Sequence, residues 1–284
     1  DVELRDPDSV YPIFRSESKE NLARILGHEE NVHLHNLVVD LNPGREKQSE
    51  EQHLTIPETE PESTHAENYR INSFHLGEGS PKQKFRANMD AIYTLKTLEN
   101  QHRDAPPEEQ ETLANYVGWG GLADAFDAEK TAWTGEYKEL KAALTKEEYA
   151  AARASTLNAH YTSPTVIRAI YEALDGMGFE KGNILEPSMG VGNFFGMLPD
   201  SMLESRLYGV ELDSITGRIA QKLYPQAEIK VAGFETTDRR DFYDLAVGNV
   251  PFGNYRVSDK PYDKLGFSIH NYFFAKALDQ VRPG

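Results

Sequence analysis

Two short motifs, each at the end of a predicted strand, carry side chains that could bind a ligand. Residues 249–252 read Asn-Val-Pro-Phe and follow the mostly apolar run 242–247. An amide beside a flat aromatic ring suits a planar base with an exocyclic amino group, such as adenine. Residues 185–194 form a glycine turn between a predicted strand and a predicted helix. Together the two motifs predict a nucleotide-type cofactor site next to a base-sized pocket.

The residues around the glycine turn indicate what kind of cofactor would bind. The turn begins with Glu186, and residues 186–199 contain no basic side chain. A phosphate-binding turn rarely begins with a carboxylate, whereas a cofactor with a positive centre tolerates one. This favours S-adenosylmethionine over a dinucleotide. Glu211 ends the next predicted strand, where an acid can accept hydrogen bonds from both hydroxyls of a ribose.

The elements that must position these motifs alternate between strand and helix. A helix is predicted to begin at Pro164, followed by strands and helices in turn. The predicted strands are 183–186, 207–211, 228–232 and 242–248, and the predicted helices between and after them are 191–198, 214–223 and 268–281. This βαβ series predicts an α/β fold in which helices cover a parallel sheet.

The preceding residues, 70–160, are predicted to form a helical domain. Its first helix carries apolar residues at helical spacing, namely Phe85, Met89, Ile92, Leu95 and Leu98. Further helices are predicted from Pro106, over 136–144 and over 146–154, the last with a capping box of Thr145 and Glu148. Trp119, between glycines, is expected to pack this domain against the sheet; contact with cofactor or DNA is the alternative. Lys82, Lys84 and Arg86 are expected to form a solvated helix face.

Residues 1–69 form an acidic segment for which the sequence suggests no function. Residues 21–41 have the apolar content of a helix and a short strand, whereas 42–68 are too polar to bury a core and are predicted to be a linker or disordered. More than half of the net charge of −16 lies in this segment. His28, His33 and His35 lie close together, but no ligand pattern accompanies them, so no metal site is expected.

The bulk composition narrows the function classes. The chain has 284 residues, 39% of them apolar, and no cysteine, which excludes disulfides and thiolate zinc sites. No apolar run is long enough to span a membrane, and the cytoplasm is the expected compartment. The acidic balance does not predict a self-sufficient nucleic-acid binder. A first residue other than Met and an end in a turn suggest a fragment of a longer protein.

From about Thr162 onward the chain resembles the N6-adenine DNA methyltransferases of the gamma arrangement. The family pattern is a D/E-P-x-x-G-x-G-x-F turn, then an acid that ends the second strand, then N-P-P-Y/F at the end of the fourth. This chain has Glu-Pro-Ser-Met-Gly-Val-Gly-Asn-Phe at 186–194, Gly-Val-Glu-Leu-Asp at 209–213, and Asn-Val-Pro-Phe at 249–252. His-Tyr-Thr-Ser-Pro at 160–164 resembles an additional cofactor motif of that family.

A longer stretch, residues 70–284, is similar to the methylase part of the large methylase–helicase proteins carried by bacterial mobile elements and phages. This similarity includes Gly-Trp-Gly-Gly at 118–121. It implies a helical domain in 70–160 followed by an S-adenosylmethionine-dependent, Rossmann-like methyltransferase core in 161–284, incomplete at its C-terminal end. The implied partner is DNA, bound with help from other domains of a longer chain; neither a membrane nor a metal is implied.

The resemblance also assigns roles to individual residues. The first side chain and the second main-chain carbonyl of the tetrapeptide would accept the amino hydrogens of adenine N6, and the aromatic ring would stack on the flipped base. The implied catalytic residues are Asn249, Val250, Pro251 and Phe252. The implied cofactor-binding residues are Tyr161, Thr162, Glu186, Pro187, Ser188, Gly190, Gly192, Asn193, Glu211, Leu212 and Phe234.

The sequence departs from the family pattern at two positions. Val250 replaces a proline, which keeps the carbonyl acceptor but loses the fixed backbone angle. Gly233 stands where an acid would meet the cofactor adenine, leaving Phe234 to stack there. Low activity is expected from this chain alone. Two alternatives remain: a methyltransferase of the same fold that acts on protein glutamine or RNA, and a decayed module that binds S-adenosylmethionine or a partner without catalysis.

Overall fold

The computed structural model describes residues 2–4, 13–15, 66–72, 77–156, 162–253 and 255–283. The chain divides into two compact units, Asp1–Glu60 and Pro61–Gly284. In the first unit, β1 (Val2–Leu4) and β2 (Ile13–Arg15) pair antiparallel. The helix and strand predicted in residues 21–41, and the three histidines within and near them, lie outside the described residues.

The helical part of the second unit begins with a long amphipathic helix, α1. Ser80 caps α1 in a capping box with Gln83, and the five apolar residues predicted for its inner face are all buried. The helices are α1 (Pro81–Asn100), α2 (Pro107–Ala114), α3 (Thr134–Ala143) and α4 (Lys146–Ser155). The predicted capping box of Thr145 and Glu148 is present at the start of α4. The helical spacing of apolar residues and the capping residues therefore predicted these helices correctly.

Trp119 lies in the core of the helical part. Its ring meets those of Phe85, Tyr116 and Phe126 edge to face, with centroids 6.1, 6.4 and 5.3 Å away. The positive φ angles of Gly118 and Gly121 form the break in the helical pattern that turns this ring inward. A buried indole cannot touch cofactor or DNA, so packing is its role.

The strands form one parallel sheet in the order β5-β4-β3-β6. They are β3 (Asn183–Glu186), β4 (Arg206–Glu211), β5 (Glu228–Val231) and β6 (Leu245–Ala246). The helices around them are α5 (Pro164–Gly176), α6 (Asn193–Gly196), α7 (Ser214–Leu223) and α8 (Ile269–Gln280). The predicted α/β class, with a Rossmann-like parallel sheet after a helical part, is confirmed.

The central strand β3 is buried on both faces. Ile184 packs with residues of the helical part and of α5 and α7, whereas Leu185 packs with residues of α8. Successive side chains of a strand point to opposite faces, so these two neighbours belong to two hydrophobic clusters. Arg218 of α7 also pairs with Glu99 and Glu148, which ties the sheet to α1 and α4.

The helical part and the sheet thus share one hydrophobic cluster. The division into segments 1–69, 70–160 and 161–284 stays a prediction. Among the residues that the structure describes, no helix has the length and apolar character needed to cross a membrane.

Strand β6 is shorter than the predicted strand 242–248. The backbone still pairs on both sides of β6, because Asp244 N donates to Asn183 O (2.8 Å) and Val247 N donates to Leu185 O (2.9 Å). Gly248, with φ +150°, then ends the strand. The pairing that sets the position of the following tetrapeptide is therefore intact.

Candidate active site

The two motifs predicted from the sequence meet at the carboxyl edge of the sheet. Strands β4 and β6 lie on opposite sides of β3, although the chain runs from β3 to β4 and β5 before it returns to β6. Such a reversal of strand order opens a crevice at the carboxyl ends, where ligands bind in open α/β sheets. Glu186, Glu211 and residues 248–252 lie at this edge.

The glycine turn after β3 depends on two glycines in left-handed conformations. Gly190 has φ +57° and Gly192 has φ +83°, angles that residues with side chains seldom adopt. A Cβ atom at Gly192 would also lie 2.5 Å from Cε2 of Tyr224 and 2.9 Å from Cε of Met189. The turn is anchored to the neighbouring strand because Met189 N donates to Val210 O (3.0 Å). Both backbone angle and packing therefore require glycine at 192.

Gly192→Ala is expected to lower the free energy of unfolding by about 2–5 kcal/mol, the sum of left-handed strain and overpacking against Tyr224. Gly121→Ala is the matched control, because Gly121 has φ +73° and nothing within 4 Å of a new Cβ. It should lose only the strain term, about 1–2 kcal/mol. Urea unfolding of both variants measures the difference, and equal losses would show that Tyr224 yields without cost.

Glu211 connects the end of β4 to the glycine turn. Its Oε2 accepts a hydrogen bond from Gly190 N (2.9 Å), and its Oε1 accepts one from Asp213 N (2.8 Å). Burial raises the pKa of Glu211 from 4.5 to about 7, against the opposing effect of these hydrogen bonds. The crevice thus contains a carboxyl group whose pKa is close to neutral pH.

Glu186, at the end of β3, is a buried acid without full hydrogen bonding. The residue is 2% exposed, and its Oε2 has no hydrogen-bond partner among the described residues. Burial, and then the charge of Glu211, raise the pKa of Glu186 well above 4.5. Two acids in one buried place repel each other when both are ionised. A cation bound at this edge would stabilise both carboxylates.

The tetrapeptide lies directly against the glycine turn. Ser188 Oγ donates a hydrogen bond to the main-chain carbonyl of Asn249 (3.0 Å). A Cβ atom at Gly248 would lie 3.2 Å from Cγ of Glu186. The side-chain amide of Asn249 is exposed and makes no hydrogen bond with the residues that the structure describes. The predicted neighbourhood of the two strand ends is therefore present.

After Asn249 comes a residue with a packed side chain, Val250, and then an exposed aromatic ring, Phe252. Val250 packs against the cluster that contains Leu185 and residues of α8. Side-chain packing thus restrains Val250, whereas a proline would restrain the φ angle through its ring. Phe252 is 54% exposed, so a planar ligand could cover part of its ring.

The structure describes four further residues that the resemblance assigns to the cofactor. Leu212 follows Glu211 and is 76% exposed, which is unusual for a leucine and leaves an apolar surface at the crevice. Thr162 is partly buried two residues before α5, Pro187 is buried beneath the turn, and Asn193 begins α6. Tyr161 lies outside the described residues.

The expectation that Phe234 stacks on a ligand needs correction. Phe234 is 3% exposed, and its ring stacks on Phe273 of α8 with centroids 5.0 Å apart. Its edge meets Tyr272, and Nζ of Lys276 lies 5.3 Å from its centroid. The ring therefore belongs to the core and has no free face. Its neighbours lie on the last helix, which is why the local motif did not show this.

The sequence reading missed two features of the site. Glu186 is predicted as a cofactor-binding residue, but its burial and its closeness to Glu211 are not evident from the sequence. The sequence reading also did not single out Ser188 as the residue that binds the tetrapeptide backbone. Among the described residues, no group of three or more His, Cys, Asp or Glu is placed to hold a metal ion.

Comparison with known proteins finds sequence similarity to two viral proteins. "Defense against restriction protein B" of Escherichia phage P1 is 32% identical over 214 residues, covering 73% of this chain and 8% of the phage protein. "Type II methyltransferase M.CvrRI" of Paramecium bursaria Chlorella virus XZ-6E is 34% identical over 92 residues, covering 32% of this chain and 24% of the viral protein. The chain thus spans a small part of each relative's length.

No family model matches the chain. Among solved structures, a candidate class I S-adenosylmethionine-dependent methyltransferase from Listeria monocytogenes is similar with a TM-score of 0.37 and 12% identity, covering 72% of each chain. Because this similarity is low, the fold class is assigned from the strand order of this chain.

Proposed function

We propose that this chain is a methyltransferase domain that transfers a methyl group from S-adenosylmethionine to the N6 atom of adenine in DNA. One observation carries the proposal: the Asn249 main chain is bound by Ser188 of the glycine turn, at the edge that holds the buried Glu186 and the partly buried Glu211. An amide that can hold an amine thus lies beside acids that can hold a cation. A methyl transfer between a cationic donor and an aromatic amine needs both.

The residues at the glycine turn fit S-adenosylmethionine. When bound, this cofactor supplies an electrophilic methyl group on a positively charged sulfonium. The unpartnered Oε2 of Glu186 would gain an electrostatic partner from its cationic end. Glu211 would accept hydrogen bonds from the ribose hydroxyls, and the exposed side chain of Leu212 would cover an apolar face of the adenine.

The tetrapeptide fits the amino group of a base. The Oδ1 atom of Asn249 and the carbonyl of Val250 would accept the two amino hydrogens, which turns the nitrogen lone pair toward the incoming methyl group. Phe252 would stack on the base after it leaves the duplex. Since no covalent intermediate with the protein is required, the contribution of these residues is positioning and electrostatic stabilisation.

The relatives support DNA as the substrate. The viral relative is named a type II methyltransferase, and the phage relative is named a protein of defence against restriction. Because this chain spans 8% and 24% of their lengths, the choice of DNA sequence is proposed to need other parts of a longer protein.

The test is methyl transfer by the chain in excess over unmethylated DNA, with isotope-labelled S-adenosylmethionine and nucleoside mass spectrometry. The expected product is labelled N6-methyldeoxyadenosine at a low rate, with no methylated cytosine. RNA and protein substrates are tested in parallel. If the label appears instead on RNA adenine or on protein glutamine, DNA is not the substrate and that molecule is. If the cofactor binds but no product forms, the chain is a binding module without catalysis.

A further inference from the structure

The segment that follows the tetrapeptide carries three exposed cations. Arg256, Lys260 and Lys264 are exposed and form no ion pair with the residues that the structure describes. The basic cluster noted in α1 behaves differently: Lys82 pairs with Glu136, and Arg86 pairs with Glu139. Two of the three cations expected to form a solvated face of α1 are thus paired with acids, whereas the three cations after the tetrapeptide keep their charge available.

One acid of the same segment is neutralised inside the protein. Asp259 Oδ2 accepts hydrogen bonds from Lys276 Nζ and from Tyr272 OH, both at 2.7 Å. Lys276 is 4% exposed and also donates to the carbonyl of Glu235 (3.1 Å). The segment is therefore fixed to α8 by a buried ion pair, and its negative charge is turned inward while Lys260 stays outside.

The other acid of the segment bonds to its backbone. Asp263 accepts a hydrogen bond from Asp259 N (2.8 Å), in a turn that leads into a short 3-10 helix. The surface of residues 255–267 therefore has an excess of positive charge in a chain whose net charge is −16.

The position of the segment links it to the base pocket. Val257 packs against the same hydrophobic cluster as Val250 of the tetrapeptide. The guanidinium of Arg256 lies 3.9 Å from where a Cβ atom of Gly266 would be, so it reaches the far end of the segment. Tyr255, like Phe252, is an exposed aromatic ring. The exposed rings thus lie next to the pocket and the cations follow them, a combination found in surfaces that bind a nucleic-acid strand.

We propose that residues 255–267 bind the phosphate backbone of the DNA strand that carries the target base, through Arg256, Lys260 and Lys264. This inference rests on the proposed function. A protein that keeps an extruded base in its pocket must also hold the backbone beside that base, and phosphate contacts provide this without reading the sequence. The buried pair of Asp259 and Lys276 positions this surface and does not touch the DNA.

The test compares duplex DNA binding by the chain and by the triple variant R256Q/K260Q/K264Q in a fluorescence titration at several salt concentrations. The plot of log K against log salt should lose about 2.7 from its slope, because each phosphate contact contributes about 0.9. The matched control is K138Q/K146Q/R153Q, which removes the same number of positive charges at exposed positions that form no ion pair within the described part of the chain. Its slope should equal that of the unchanged chain.

Three outcomes would overturn the inference: an unchanged slope in the triple variant, an equal loss in the control, or no measurable binding of duplex DNA by the unchanged chain. Failure of the proposed function is seen separately, because methyl transfer and calorimetric binding of S-adenosylmethionine are measured on the unchanged chain. If the chain methylates DNA but the slope of the variant is unaltered, the proposed function stands and the proposed phosphate-binding surface is rejected.

Discussion

Replacing Asn249 by alanine is expected to lower the rate of methyl transfer to adenine by about 100- to 1,000-fold, the cost of removing one preorganised electrostatic contact to the reacting group. The exposed amide is the proposed acceptor for one amino hydrogen, and without it the nitrogen lone pair stays delocalised in the ring. The hydrogen bond from Ser188 goes to the main chain of Asn249 and survives the change. The affinity for S-adenosylmethionine should therefore stay within about twofold, so that kcat falls and cofactor binding does not.

The matched control is Asn271→Ala, which removes the same side chain at an exposed position of α8. Asn249→Asp provides a second comparison, because a carboxylate keeps an acceptor of the same length and should retain part of the activity. Single-turnover methylation measures all three variants, and calorimetry checks their cofactor binding. A rate for Asn249→Ala equal to that of Asn271→Ala would remove the tetrapeptide from the reaction.

The tetrapeptide also shows how far a sequence can locate a site. Parallel strands place their carboxyl ends at one edge, so predicting the strands before Glu186 and Asn249 was enough to bring the two motifs together. The helix α1 was equally accessible, because a period of 3.6 residues is a local property of the chain. Features that depend on spacing along the chain were thus predicted correctly.

Features that depend on how distant elements pack together were not predicted from the sequence. Phe234 follows β5 in sequence, but its stacking partner Phe273 belongs to the last helix, and no local motif contains both. The helix predicted over 191–198 is reduced to Asn193–Gly196, because the left-handed Gly192 delays its start and its residues pack as a short turn. The high pKa of Glu186 likewise arises from burial in the assembled sheet.

Replacing Glu211 by glutamine is expected to weaken S-adenosylmethionine binding by about 10- to 100-fold, since charged acceptors contribute about 1.5–3 kcal/mol per hydrogen bond. The variant keeps the size of the side chain and one acceptor for Gly190 or Asp213. The matched control is Glu180→Gln, an exposed acid just before β3, at the opposite edge of the sheet. Titration calorimetry on both variants measures the effect, and equal affinities would withdraw the ribose assignment.

The pH dependence of the same group gives an independent check. The pKa of Glu211 is raised to about 7 from 4.5, so the folded protein without cofactor binds more protons than the unfolded chain between these values. Its free energy of unfolding should therefore fall as pH rises from 4.5 to 7, by on the order of 3 kcal/mol from this group. Glu186 acts in the same direction.

Glu211→Gln should remove the part of this fall in stability that comes from Glu211, and its melting temperature above pH 7 should exceed that of the unchanged chain by several degrees. Cofactor affinity should show the opposite trend in the unchanged chain, rising with pH through 7 as the carboxylate form of Glu211 becomes populated. The variant should lose this contribution and keep the one from Glu186. Thermal melts and calorimetry between pH 5 and pH 8.5 measure both. The contrary result is a stability of the unchanged chain that changes with pH in the same way as the stability of Glu211→Gln. Glu211 would then be ionised over the whole range and would face water.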